Sequence, residues 1–222
     1  MSELLSIAQS AVELALKSGA TDAECTISEG EEFSAGVRMR EVEKLTQAGS
    51  RGVGIRVLIG KRSGSSRTSD LTPEGIQAMV KSAMQLVAIT TEDPFAGLPE
   101  PGEFGQLTTD LRLYDPAIEK MEAAWKIEQA LKAEEVALAY DPRITNSEGA
   151  GFDTYLSARA FANSRGFSGF YRLTSCGLSV VPVAKQGDAM ERDYWSSSAR
   201  AAAGLESPEV VGRKAAERAI RR

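Results

Sequence analysis

The feature that most constrains this fold is the two-residue alternation within residues 50–71. Val53, Ile55, Val57 and Ile59 alternate with Gly54, Arg56, Leu58 and Gly60, which is the period of a strand with one buried face. Lys61-Arg62-Ser63-Gly64 reads as a turn and residues 65–69 as a short returning strand. A hairpin rich in glycine and arginine either cradles an anionic ligand or builds a sheet, and spacing decides between the two. Gly52-Val53-Gly54-Ile55-Arg56-Val57 supplies the first two glycines of a dinucleotide fingerprint. The third position is Val57, and the motif lies inside a strand, whereas pyrophosphate binding needs a strand-to-helix turn. The run from Gly54 to Lys61-Arg62 is one residue too long for a P-loop, with arginine where a hydroxyl would hold magnesium. The hairpin therefore reads as sheet.

The rest of the chain supplies helices to cover such a sheet. Leu4, Ala8, Ala11, Val12, Ala15 and Leu16 mark one face of a first helix closed by Ser18-Gly19. Cys25 and Ile27 belong to a first strand, Phe33, Ala35, Val37 and Met39 to a second, and residues 41–48 to a third. Thr72-Pro73-Glu74 is a side-chain cap with proline at the first helical position, followed by the stripe Ile76, Met79, Val80, Ala83 and Val87. Residues 93–102 form a proline- and glycine-rich connection, which places a boundary there. Beyond it, Asp115-Pro116 starts a helix carrying Ile118, Met121, Trp125 and Leu131. Residues 144–189 are strand-rich, with expected turns at Asn146-Ser147-Glu148-Gly149, Asn163-Ser164-Arg165-Gly166 and Gln186-Gly187-Asp188. Pro182 makes its segment an edge strand or a bulge. Ser207-Pro208-Glu209 starts a last helix with Val211, Ala215, Ala219 and Ile220 on its face. The expectation is an α+β fold of two helix–antiparallel-sheet–helix subdomains, residues 1–92 and 115–222, joined by a linker over 93–114.

Composition removes several functions. The chain has no histidine, which excludes a Ser-His-Asp or Cys-His apparatus of its own and any imidazole-based zinc site. Net charge is −5, against a general nucleic-acid or anionic-membrane surface. No secretory signal or membrane-spanning run is present, and Cys25 and Cys176 read as buried free thiols, so the chain is expected in the cytoplasm. Arg38, Arg40, Arg51, Arg56, Lys61, Arg62 and Arg67 fall in one sheet without interleaved aromatics. They read as a solvated face balanced by Glu24, Glu29, Glu31, Glu41 and Glu43. Glu191 and Asp193, in Met190-Glu191-Arg192-Asp193-Tyr194, are carboxylates suited either to a hard metal or to pairing with arginine, and pairing is the simpler reading. From the residues alone, no catalytic, cofactor-binding or metal-ligating residue is assigned.

The order of several motifs adds a resemblance. Arg143-Ile144-Thr145-Asn146-Ser147-Glu148-Gly149, Asn163-Ser164-Arg165-Gly166 and Gly187-Asp188-Ala189-Met190-Glu191-Arg192-Asp193-Tyr194 resemble the TldD/PmbA family, most closely its PmbA (TldE) branch. Ser69-Asp70-Leu71-Thr72-Pro73-Glu74 and Asp93-Pro94-Phe95-Ala96-Gly97 are similar to that branch's turn and linker. The resemblance implies the N-terminal region of a subunit in a cytosolic metallopeptidase, paired with a TldD-type subunit and acting on unfolded or leader-bearing peptides. It implies a zinc-type metal in the TldD-type partner only. The role expected here is to shape the complex and channel an extended peptide. The alternative is a regulatory module that binds a nucleic-acid enzyme such as gyrase, with no peptidase role and no direct nucleic-acid contact.

Overall fold

The computed structural model describes residues 2–105 and 108–222. Its elements are α1 (Glu3–Lys17), β1 (Asp22–Arg38), β2 (Glu41–Ile59), β3 (Arg62–Thr68), α2 (Pro73–Val87), α3 (Pro116–Glu119), α4 (Ala123–Ala139), β4 (Ile144–Asn163), β5 (Ser168–Gln186), β6 (Ala189–Arg192), β7 (Trp195–Ala199) and α5 (Pro208–Arg221). No helix among the described residues is long and apolar enough to cross a membrane. The α+β class expected from the sequence is the one observed.

The strands are longer than the alternation predicted, and their length redraws the units. What reads as two short strands is one, β1, and residues 41–59 likewise form the single strand β2. The signal was present: Ala23, Cys25, Ile27, Phe33, Ala35 and Val37 are all buried and all at odd positions, so the period never breaks across the polar Glu29-Gly30-Glu31-Glu32. The chain accordingly packs as two compact units cut across its long strands. One comprises residues through Gly30, Ser50–Leu111 and Ser157–Arg172; the other comprises Glu31–Gly49, Arg112–Leu156 and Leu173–Arg222. This differs from the contiguous division at 1–92, 93–114 and 115–222, because β1, β2, β4 and β5 each give a segment to both units. Residues 106 and 107 of the expected linker lie outside the described residues.

In the first unit the strand order is β3-β2-β1-β4-β5. Helices α1 and α2 close one core with Cys25, Ile27, Val53, Ile55, Val57, Ala160 and Ala162. Helix α2 begins as expected, with Thr72 Oγ1 accepting from Gly75 N, and α1 is capped by Ser2 Oγ, which accepts from Leu5 N. Two details of the hairpin differ. Its turn is Gly60-Lys61 rather than residues 61–64, because Gly60 adopts φ 58° and lets Ile59 face Arg62 directly. Leu58, not Ile59, is buried, because Ala96 and Leu98 cover it while Ile59 stays exposed. Leu16 is also exposed rather than in the core. Gly64 lies under α2, where a Cβ would come within 2.5 Å of Val87 N and 2.6 Å of Ala83 O.

In the second unit the order is β2-β1-β4-β5-β6, with β7 also paired to β5. Pro182 sits inside β5 at the gap between partners: β7 pairs as far as Val180 and β6 starts opposite Val183, so no ladder bond is lost there. Asn146–Gly149 is an irregularity inside β4 rather than a turn. Gly149 has φ 118° and a Cβ there would reach Val37 O at 2.7 Å, while Arg38 Nε donates to Ser147 O at 3.1 Å. The helix expected at Asp115 stops after Glu119, and α4 begins anew at Ala123. Its buried face is Lys126, Ala130, Ala133, Glu134 and Ala137; Trp125 is exposed and meets Phe152 only edge-on. The alanines let α5 approach so closely that a Cβ on Gly212 would reach Ala133 O at 2.4 Å.

Glu134, fully buried, fastens the β1–β2 turn. Its carboxylate accepts Met39 N–H at 3.0 Å and Arg40 N–H at 2.7 Å. Both turn residues are non-glycine at positive φ, 49° and 69°, a conformation costing roughly 1–2 kcal/mol each, and two charge-assisted bonds offset it.

Three outcomes follow for denaturant unfolding. Replacing the turn with Asn-Gly (Met39→Asn with Arg40→Gly) stabilises the protein by about 1 kcal/mol, whereas Glu134→Ala destabilises it by about 2–4 kcal/mol. Gly64→Ala costs at least about 2 kcal/mol, because helix backbone cannot yield to a methyl group.

Candidate functional surfaces

The hairpin that first drew attention presents one polar face in the first unit. A groove of about 350 Å³ runs along it, lined by Thr26, Ser28, Gly52, Gly54, Ser65 and Arg67 among others. Three of the surrounding cations are engaged locally. Arg56 Nε lies 2.7 Å from Glu24 Oε1 and its Nη2 donates to Gly97 O at 3.2 Å; Lys61 Nζ donates to Ala96 O at 2.9 Å; Arg62 lies 3.6 Å from Glu92. In the second unit Arg38 lies 3.9 Å from Glu43. Carboxylates and carbonyls thus absorb this charge, which agrees with the solvated-face reading.

Arg165, in the Asn163–Gly166 turn, is a clamp within the first unit. Its guanidinium meets Asp22 at 3.1 Å and donates to Leu98 O at 3.1 Å, while Asn163 Oδ1 accepts from Arg165 N and Phe167 N. The arginine side chain holds Asp22 below the usual carboxylate range, against the opposing effect of burial.

The cluster at 190–194 resolves into ion pairs. Asp193, largely buried, accepts from Tyr194 N at 2.8 Å and pairs with Arg218 at 3.2 Å and Arg222 at 2.9 Å. Arg192 pairs with Glu148. Trp195 Nε1 donates to Glu206 at 2.7 Å, and Lys214 lies over the indole ring at 4.6 Å. No three His, Cys, Asp or Glu side chains converge among the described residues. Both cysteines are buried and unbonded to each other; burial pushes the Cys25 thiol up to about 12 and raises that of Cys176.

Two polar groups escaped the sequence reading. Glu134 is one. Lys126 is the other: only 7% exposed, it donates from Nζ to Thr154 Oγ1 at 3.0 Å and sits 4.1 Å above the Phe33 ring, and burial lowers its pKa. Both lie on the alanine face of α4, at spacings matching Ala130, Ala133 and Ala137, which is the only trace they leave in the sequence.

The acid response follows from the two most shifted carboxyls. The Tyr194 N–H, then Arg222 and Arg218, bring Asp193 from 3.8 to about 2. The Arg143 side chain and N–H do the same for Asp141. A depressed folded-state pKa means the stabilisation is present above the ordinary carboxylate pKa and is lost as pH falls from about 4 toward 2. Asp193→Asn therefore flattens the stability loss over that interval in acid titrations followed by circular dichroism, while leaving the profile between pH 6 and 8 unchanged.

The chain's likeness to known proteins extends over nearly all of this architecture. Residues 23–87 match the PmbA/TldA metallopeptidase domain 1 and residues 116–222 match the PmbA/TldA metallopeptidase central domain. The chain is 36% identical over 210 residues to "Metalloprotease PmbA" of Escherichia coli O157:H7, covering 94% of this chain and 46% of that protein. It is 33% identical to "Metalloprotease PmbA homolog" of Haemophilus influenzae, covering 99% and 48%. Among solved structures, a putative modulator of DNA gyrase from Bacteroides thetaiotaomicron matches with a TM-score of 0.87 at 27% identity, covering 97% of this chain and 49% of that one. TldE from Thermococcus kodakarensis shares the fold, with a TM-score of 0.84 at 16% identity over 96% of this chain and 47% of that one. The chain spans about half the length of the curated relatives it matches. With both domains matched in order and the fold shared throughout, the chain belongs to the PmbA/TldD metallopeptidase family.

Proposed function

We propose that this chain is the peptide-guiding region of a PmbA/TldE-type subunit, which serves a cytoplasmic metallopeptidase assembled with a TldD-type subunit. Its share of the work is to bind extended polypeptide and pass it to the partner, where a zinc-type metal performs hydrolysis. The observation that carries this reading is the edge of β3 that no further strand covers among the described residues. This strand ends the order of its unit, and the groove of hydroxyls and glycines runs beside it.

The two-residue turn makes Ile59 and Arg62 the closing hydrogen-bonded pair, so Arg62, Gly64 and Ser66 bond to β2 while Ser63, Ser65 and Arg67 turn their backbone groups outward. Thr90 Oγ1 donates to Ser63 O, as this geometry requires, and caps that end of the edge. Beyond it, Ser65 and Arg67 offer a ladder for an added strand. Backbone pairing tolerates varied side chains, which suits unfolded or leader-bearing peptides as substrates.

The test is chelator-sensitive peptidase activity of the full-length protein with a TldD-type subunit. Activity appears only when both are present, and Ser65→Pro, which removes one outward N–H, raises KM about fivefold with kcat little changed. Hydrolysis by the full-length protein alone, or a KM unmoved by Ser65→Pro, contradicts the proposal.

A further inference from the structure

The outer face of the first unit's sheet holds one charge that nothing answers. Val53, Ile55 and Val57 lie in the helical core opposite Thr68, Ser66 and Gly64. Gly54 and Arg56 of β2, faced by Arg67 and Ser65 of β3, therefore lie on the side away from α1 and α2. Among the described residues three ionisable side chains line the groove on that side: Glu24, Arg56 and Arg67. Glu24 and Arg56 neutralise each other at 2.7 Å. Arg67 is exposed, and its guanidinium meets no carboxylate, carbonyl or aromatic ring among the described residues. Its stem lies flat on Gly54, where a Cβ would come within 3.4 Å of Arg67 Cγ and 3.7 Å of its Nε.

The ladder leaves one place for the partner of Arg67. A side chain on a sheet face pairs chiefly with the neighbour directly across on each adjoining strand, and more weakly with the diagonal ones. On β2 the direct neighbour is Gly54, which has no side chain, and the diagonal ones are Gly52 and Arg56, neither of them an acid. On the other side is the position beside β3 that no strand fills among the described residues. Arg56, one strand further in, shows the contrast, because β1 supplies its acid in Glu24. A carboxylate opposite Arg67 has to be carried by the strand that joins this edge, and the planar guanidinium suits a carboxylate held by two hydrogen bonds. Charge on an edge strand also deters aggregation, but a guard of that kind is indifferent to the charge of a peptide already bound.

We infer that Arg67 selects the peptide: the strand added at β3 carries a glutamate or aspartate opposite Arg67, and the substrate class is acidic extended polypeptide. This rests on the peptide-guiding function proposed above and can fail while that function stands. The test is fluorescence anisotropy with the full-length protein and labelled extended peptides, blocked at both ends and differing only in a central Glu or Gln. The Glu peptide is expected to bind about threefold tighter. Arg67→Gln brings the two affinities together, and Arg67→Glu makes a central-Lys peptide the tighter binder. Lys81→Gln, which takes the same charge from the exposed side of α2 across the sheet, leaves the ratio unchanged. Equal affinities for the Glu and Gln peptides overturn the inference and leave peptide guiding intact. So does a preference that follows a free C-terminal carboxylate instead of the side chain. A preference unmoved by Arg67→Gln does the same, as when a carboxylate elsewhere in the full-length protein already holds Arg67. Failure of every peptide to bind overturns both.

Discussion

The carboxylate of Glu134 is the contact on which the second unit's hairpin depends. It takes two N–H groups from a turn whose residues, Met39 and Arg40, would not choose a left-handed conformation unaided. Moving that turn by one residue would slide β2 against β1 and exchange inward for outward side chains. The same bond ties α4 to the end of the hairpin, so helix position and strand register are set together. A fully buried carboxylate is costly unless its oxygens are satisfied, and here each oxygen has a backbone donor. Alanines on the same helix face allow the close approach that Gly212 of α5 completes.

Helix caps, buried stripes and the opposed faces of the strands were legible in the sequence because each is a local pattern. Thr72-Pro73, the stripe from Ile76 to Val87, and Ser207-Pro208 all lie where propensity places them. Strand length was misjudged for a physical reason: polar Glu29-Gly30-Glu31-Glu32 looked like a break, yet the strand runs on through it and burial resumes in the same odd phase at Phe33. The Asn146–Gly149 run carries turn chemistry, but its Gly149 conformation serves a close approach to Val37 instead. Lys126 and Glu134 were hidden because a buried polar residue announces itself only through partners distant in sequence: Thr154 and Phe33 for one, Met39 and Arg40 for the other. By compactness the chain divides into interleaved units because its long strands cross from one to the other, while the matched family domains, residues 23–87 and 116–222, are contiguous in sequence.

The chemistry of the surfaces gives the molecule a consistent character. Four of the cations that looked like a ligand site, Arg38, Arg56, Lys61 and Arg62, are engaged by Glu43, Glu24, Glu92 and backbone carbonyls, and Asp193 is spent on Arg218 and Arg222. Among the described residues the outer edge of β3 also pairs with no further strand. The function proposed above divides labour between a subunit that holds peptide by its backbone and one that cuts it, and open strand edges are the physical means of the first task.

The most direct measurement of that division is amide hydrogen exchange on the full-length protein with and without a saturating, hydrolysis-resistant extended peptide. The account predicts new protection at Ser65 and Arg67 of β3, with the inward-bonded amides of Gly64 and Ser66 little changed. Peptide binding that leaves Ser65 and Arg67 exchanging at their free rates would contradict it.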